Sequence, residues 1–162
     1  MNYTLIVPFY NEEKNIPSFN TELINNLKKI DNGKRSLEII YIDDGSNDET
    51  FNELKKLNTN SFETLIIKHS NNLSQSAAIN TGLIQSKYEN IVIMDGDLQN
   101  DPGDLSKMIS EFEKGTDMLI GWRKQRKDNF FSRTLPSIIA NFIVRLFSES
   151  KVHDHGCAFK IF

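Results

Sequence analysis

The sequence has one cysteine, Cys157, among 162 residues, and only three histidines and one tryptophan. A lone thiol forms no internal disulfide and leaves no pair for a structural zinc site, so stability has to come from burial and a reducing, cytoplasmic compartment is expected. Proline and glycine are sparse, at 4 and 8 residues, which excludes collagen-like and low-complexity chains. Long apolar runs are missing too. The most apolar region, Leu135 to Phe147, is interrupted by Asn141 and Arg145, short of the roughly 18 apolar residues that a membrane-spanning helix needs. The start, MNYTLIVPFYNEEKN, lacks the basic n-region and apolar core of a signal peptide and reads as a strand. Charge is nearly balanced, 19 basic against 22 acidic residues for a net −3, which gives no footprint for a nucleic-acid partner. Neither G-x-G-x-x-G nor G-x-x-x-x-G-K-[ST] occurs, so a dinucleotide fingerprint and a P-loop are both excluded.

What is present is 38% hydrophobic residues in a chain long enough to bury roughly 70% of its unfolded surface as one domain. Short apolar runs alternate with amphipathic segments, the pattern of an α/β protein with a mainly parallel central sheet flanked by helices. Strands are predicted at Thr4–Pro8, Leu37–Ile42, Thr64–Lys68, Asn90–Met94 and Asp117–Gly121, with a further one in the closing GCAFKIF. Helices are predicted from Glu12 to Ile30, from Ser46 with Glu49 as a capping box, from Gln75 to Lys87, and from an Asp101 cap and Pro102 to Gly115. A last helix carries the stripe Leu135, Ile138, Ile139, Phe142, Ile143, Leu146 and Phe147, which suits either packing on the sheet or lying at a membrane surface.

In an open α/β sheet, ligands bind beyond the carboxyl ends of the strands. Acidic residues crowd those ends. Asp95 and Asp97, around Gly96 after the fourth strand, are spaced to share a hard divalent cation, Mg²⁺ or Mn²⁺, with Gln99 able to add an oxygen; the alternative is a turn and helix entry. Asp43 and Asp44 can accept from a ribose or a uracil N–H, or serve only a turn. Asn11, Glu12 and Glu13 can likewise be no more than a helix start. Between Arg123 and Arg133 stand five basic residues and one acid, Asp128, which suits a pyrophosphate or lipid phosphate, or a solvated loop. His69, His153 and His155 form no metal-ligand spacing with Cys157 and read as ordinary surface residues.

Six segments in this order, IVPFYNEEKNI, IIYIDDGSNDET, QSAAINTGL, IVIMDGDLQNDP, GWRKQRKD and HDHGCAFKIF, resemble the family 2 glycosyltransferases of the GT-A, Rossmann-like fold. They look most like the branch that moves a sugar from a nucleotide donor to a polyprenyl phosphate, such as dolichyl-phosphate mannosyltransferases and undecaprenyl-phosphate sugar transferases of cell-envelope biogenesis. The resemblance implies a UDP- or GDP-linked donor, a polyprenyl phosphate acceptor at the cytoplasmic membrane face and a Mg²⁺ or Mn²⁺ cofactor. It places Pro8, Tyr10, Glu12, Asp43, Asp44 and Asp95 around the nucleotide, and Asp95, Asp97 and Gln99 at the metal. It gives Arg123, Arg126 and Arg133 to the phosphates and an acidic position near the end of the catalytic domain to Asp154, so that Asp97, Arg123, Arg133 and Asp154 form the catalytic set.

Two departures stand out. Ser74 occupies a position where members usually carry glycine, and the interfacial or transmembrane helices that normally come next in this branch are expected to be lacking from a single catalytic domain over residues 1–162. The competing expectations are a soluble family 2 enzyme with a saccharide acceptor and a nucleotide-binding domain without turnover. A magnesium phosphohydrolase is disfavoured, because its aspartate pair would come after the first strand, not the fourth.

Overall fold

The computed structural model describes residues 1–30, 35–57, 61–121 and 157–162. Arg123, Arg126, Arg133, Asp154, His153, His155 and the Leu135–Phe147 stripe lie outside them. The described chain runs β1 (Tyr3–Phe9), α1 (Ile16–Ile30), β2 (Leu37–Asp43), α2 (Thr50–Lys56), β3 (Glu63–Lys68), α3 (Gln75–Gln85), β4 (Asn90–Ile93), a 3-10 turn at Pro102–Asp104, α4 (Leu105–Phe112), β5 (Leu119–Ile120) and β6 (Lys160–Ile161). The sheet order is β3-β2-β1-β4-β6-β5. The pairs β1–β2, β1–β4 and β2–β3 are parallel, whereas β6 runs antiparallel between β4 and β5.

Strand period explains the two core layers. Tyr3, Leu5, Val7 and Phe9 of β1, with Ile39 and Tyr41 of β2, pack with α1 and α4 residues in one cluster, while Ile6, Ile40 and Ile42 turn to Ala78 of α3 in the other. α1 buries Ile16, Phe19, Asn20, Leu23, Ile24, Leu27 and Ile30 at helical spacing. The thinner α3 layer rests on small residues. Only Ala78 and Gly82 of that helix are buried, and a Cβ at Gly82 would stand 2.5 Å from Ile6 Cγ2.

Several predicted boundaries move, each for a local reason. α1 starts at Ile16 rather than Glu12, because residues 11–13 are tied to the loop after β2. α2 starts at Thr50, and Ser46 caps nothing, since its Oγ accepts from the Asn11 N–H at 2.9 Å and Glu49 makes no side-chain cap. The Asp101 cap is present, its carboxylate accepting from Gly103 N–H at 2.7 Å, but the first turn is 3-10 and the helix ends at Phe112, short of Gly115 at φ +98°. α3 stops at Gln85, before Lys87, whose N–H donates instead to the buried Glu38 carboxylate at 3.0 Å.

Candidate functional site

At the carboxyl ends of β1, β2 and β4 lies a cleft of about 320 Å³ lined by Pro8, Phe9, Tyr10, Glu12, Asp44, Asn72, Ser74, Gln75, Asp95, Gly96 and Asp97, within the usual range for small-molecule sites. Its floor is fixed by strand register. Pro8 pairs with Ile42 and Phe9 with Asp43, so the next residues of each strand emerge side by side.

One wall is a zipper between two loops. Asn11 N–H donates to Ser46 Oγ at 2.9 Å, Asn47 N–H to Asn11 Oδ1 at 2.9 Å, Glu12 N–H to Thr50 Oγ1 at 2.8 Å, and Glu49 N–H to Glu13 Oε2 at 3.1 Å. These bonds use NEE and GSNDET on each other. Asn11 and Glu13 therefore hold backbone, and Glu12 alone of the three lines the cleft. Burial pushes the Glu12 carboxyl above its ordinary value; the Asn15 amide pulls it back, and the negative charges of Asp97 and Asp48 raise it further. Four acidic side chains line the cleft and no lysine or arginine among the described residues does. Such a cleft repels a bare diphosphate and attracts a cation.

Asp43 and Asp44 part company because consecutive strand residues face opposite sides. The Asp43 side chain is wholly buried; its Oδ1 accepts from Ser46 N–H at 2.9 Å, Lys68 Nζ stands 3.7 Å from its Oδ2, and it does not line the cleft. Its work is to hold the loop. Asp44, 3% exposed, lies on the α3 side and accepts from Leu73 N–H at 3.0 Å on Oδ1 and from Ser74 N–H at 2.9 Å on Oδ2. It also meets His69 Nδ1 at 2.7 Å, and His69 Nε2 meets Thr81 Oγ1 at 2.9 Å. His69 is thus not the surface residue expected; its side chain is 9% exposed.

Gly45 and Gly96 are needed for space. A Cβ on Gly45, at φ +70°, would fall 2.2 Å from the Asn71 carbonyl carbon, and one on Gly96 would fall 2.0 Å from Phe9 Cε1. Phe9 is itself held edge-on to Phe19 and Tyr41 at 5.7 and 5.8 Å. Asp95 and Asp97 flank Gly96 on the cleft rim; Asp95 Oδ1 accepts from the Gln75 amide and Asp97 Oδ1 from Gln99 N–H at 3.0 Å. Gln99 does not line the cleft and supports Asp97 through its backbone. No cluster of three or more His, Cys, Asp or Glu side chains suited to a metal exists among the described residues. Two carboxylates nevertheless fit Mg²⁺ or Mn²⁺, hard cations that are commonly held by one or two carboxylates together with substrate phosphates and water.

Among the described residues three non-glycines take positive φ, Asn11 (+55°), Ser74 (+100°) and Leu98 (+60°), and these lie in loops at this end of the sheet. Backbone strain clusters at ligand sites when surrounding bonds over-determine it. Asn72, Ser74 and Gln75, with His69 behind them, come from HSNNLSQ, the segment directly after β3. The rule that ligands gather beyond the carboxyl ends of strands points to this segment as well, although it carries no acidic residue to mark it.

Residues 4–162 match the family model described as Glycosyl transferase family 2. Among curated relatives, a dodecaprenyl-phosphate galacturonate synthase of Rhizobium johnstonii is 36% identical over 100% of this chain and 48% of its own length. An undecaprenyl-phosphate 4-deoxy-4-formamido-L-arabinose transferase of Proteus mirabilis is 28% identical over 98% of this chain and 48% of its own length. The chain thus spans about half the length of the curated relatives it matches. Among solved structures, S. aureus TarS 1-349 in complex with UDP-GlcNAc aligns at TM-score 0.54 and 25% identity, covering 80% of this chain and 37% of that one. The mannosyltransferase PcManGT from Pyrobaculum calidifontis with GDP-Man and Mn²⁺ aligns at TM-score 0.52 and 25% identity, covering 66% and 31%.

Proposed function

Since this chain belongs to glycosyl transferase family 2 and has its GT-A fold, we propose that it transfers a sugar from a nucleoside diphosphate donor, UDP- or GDP-linked, to a polyprenyl phosphate. The observation that carries this reading is the continuous cleft that joins Pro8, Tyr10, Glu12 and Asp44 at one end to Asp95 and Asp97 at the other. The first group suits a nucleoside and the second its diphosphate. The names of the two curated relatives, both acting on a polyprenyl phosphate, support the acceptor.

Asp95 and Asp97 would hold Mg²⁺ or Mn²⁺, which when bound neutralises the charge that develops on the leaving diphosphate. Gln75 and the Gln99 N–H keep those carboxylates in place. Arg123, Arg126 and Arg133 are assigned to the phosphates, where bidentate guanidinium contacts add to the electrostatic stabilisation. The acceptor's phosphate oxygen attacks the anomeric carbon from the face opposite the diphosphate. A new C–O bond forms as the old one breaks, its electron pair leaves on the nucleoside diphosphate, and the configuration inverts. A phosphate monoester is largely dianionic at pH 7, its second pKa being about 6, so the attack needs no strong general base. That agrees with a cleft in which none of the described lining residues is a histidine or lysine; Asp154 is then left a supporting role. The lipid carrier would be met at the membrane surface, with the Arg123–Arg133 segment as its electrostatic partner. No helix among the described residues is long and apolar enough to cross a membrane.

The test is calorimetric titration of the full chain with UDP and GDP, with and without Mn²⁺, in the wild type and Asp97→Ala. Metal-dependent binding of a nucleotide, lost in Asp97→Ala, is the expected result. A folded wild type that binds neither nucleotide refutes the reading.

A further inference from the structure

Ser74 is a cleft residue whose side chain the fold does not use. It lines the cleft and is exposed. It makes no cap bond to α3 and stands at φ +100°, ψ 153°, a region that is essentially glycine's alone. What the fold takes from this position is backbone, since Ser74 N–H donates to Asp44 Oδ2 at 2.9 Å, and glycine would donate as well. The Cβ and the hydroxyl are therefore carried against a backbone cost. An outlier of that kind, fixed by its surroundings, points to a role at the site.

The position decides which part of a ligand the hydroxyl meets. Ser74 is tied to Asp44 through its N–H, and the next residue, Gln75, is tied to Asp95 through its amide. Ser74 thus stands where the nucleoside end of the cleft joins the diphosphate end. The chemistry of the lining narrows the choice further. Glu12, Asp44, Asp95 and Asp97 are acceptors only when ionised, so they can serve ribose hydroxyls or a cation but not a phosphate oxygen, which also only accepts. A phosphate needs donors. Among the described lining residues the side chains that carry an N–H or O–H are Tyr10, Asn72, Ser74 and Gln75. Tyr10 follows β1 at the nucleoside end, Asn72 precedes Leu73, whose N–H also goes to Asp44, and Gln75 turns its amide to Asp95. The Ser74 O–H remains, and it rotates to suit its acceptor.

We propose that the Ser74 hydroxyl is a further donor-binding group, donating to a non-bridging oxygen of the phosphate attached to the ribose. The inference rests on the reading of the cleft as a nucleoside diphosphate site. One hydrogen bond from a neutral hydroxyl to a charged phosphate oxygen is worth about tenfold in affinity. Stability and binding then run in opposite directions at this residue, because the side chain that strains the fold is the one that holds the ligand.

The experiment is calorimetric titration of the full chain in Mn²⁺ with UDP and with GDP, for the wild type, Ser74→Ala and Ser74→Gly, with the matching nucleoside followed by ligand-observed NMR. Alanine keeps the Cβ and the strained backbone and removes only the hydroxyl; glycine removes the strain as well. Both variants are expected to bind the wild type's nucleotide about tenfold more weakly, with binding of the nucleoside unchanged. Circular dichroism checks the fold, and if Ser74→Ala proves unfolded, Ser74→Gly decides. A residue that acts only through its strained backbone would leave Ser74→Ala at the wild-type affinity, and that result overturns the hydroxyl contact while the transferase reading stands. Equal losses for nucleoside and nucleotide overturn the phosphate as its target. A wild type that binds neither nucleotide overturns both readings.

Discussion

Replacing Ser74 by glycine should make the protein more stable, against the usual direction for a glycine substitution. Ser74 precedes α3 at φ +100°, ψ 153°, a region that is essentially glycine's alone and costs another residue on the order of 1–3 kcal/mol. The conformation is held because Leu73 N–H and Ser74 N–H must both reach the Asp44 carboxylate, at 3.0 and 2.9 Å. Glycine donates the same N–H without the Cβ clash. The side chain contributes little to set against this, since Ser74 is exposed and its hydroxyl makes no cap bond to α3. The opposing term is the greater freedom of glycine in the unfolded chain, roughly 0.5–1 kcal/mol. The balance is a net gain of about 1 kcal/mol, or a Tm rise of about 2–4 °C for a chain of this size. Ser74→Ala is the control, because it keeps the Cβ and should gain nothing. Thermal unfolding followed by circular dichroism reads all three proteins. A Ser74→Gly protein no more stable than wild type, or an alanine variant that gains as much, would refute the strain account.

Gly96→Ala should cost about 1–3 kcal/mol by overpacking, because its Cβ would meet the Phe9 ring at 2.0 Å; Phe9→Leu should recover part of the loss in a denaturant double-mutant cycle, and strict additivity would count against the contact. The Arg35 guanidinium, bound to Glu113 at 2.6 and 2.8 Å, holds that carboxyl below its ordinary value even though partial burial pushes the other way. A carboxyl lowered in the folded state stabilises above its unfolded value and loses that contribution as pH falls through the folded one, so wild type should lose stability below about pH 4.5 and Glu113→Gln should show a shallower acid limb. Tyr3 lies at the same junction, and burial together with its bond to Glu113 pushes its hydroxyl up to about 12. Its contribution is complete below the unfolded value near 10 and is lost as pH rises through the folded one, so Tyr3→Phe should flatten the alkaline limb of urea midpoints taken between those limits.

Signals that are local along the chain are legible in the sequence, and those that depend on distant pairing are not. Strand period and apolar runs are local, so β1 to β4, the parallel sheet and the cleft at its carboxyl edge can be read from the order of residues, as can the Asp101 cap with its proline. The chemistry-bearing pairs are legible for the same reason, since Asp44, Asp95 and Asp97 sit only a few residues past the strands. Pairing between loops is what escapes. Ser46 with Glu49 is a valid capping box in isolation, but in the fold the Ser46 hydroxyl accepts from Asn11 N–H, 35 residues away, instead. His69 shows the same thing from the other side: a histidine alone carries no signal, and only the return of α3 over β2 sets Thr81 behind it and Asp44 before it. Asp43 and Asp44 are adjacent and alike in sequence, yet the two-residue period puts one under the loop and one in the cleft. The period is visible, but the register that decides which aspartate faces α3 is not, because it depends on Ile40 and Ile42 packing on Ala78. The site's supporting contacts are therefore of long sequence separation, the Thr81 hydroxyl reaching Asp44 only through His69.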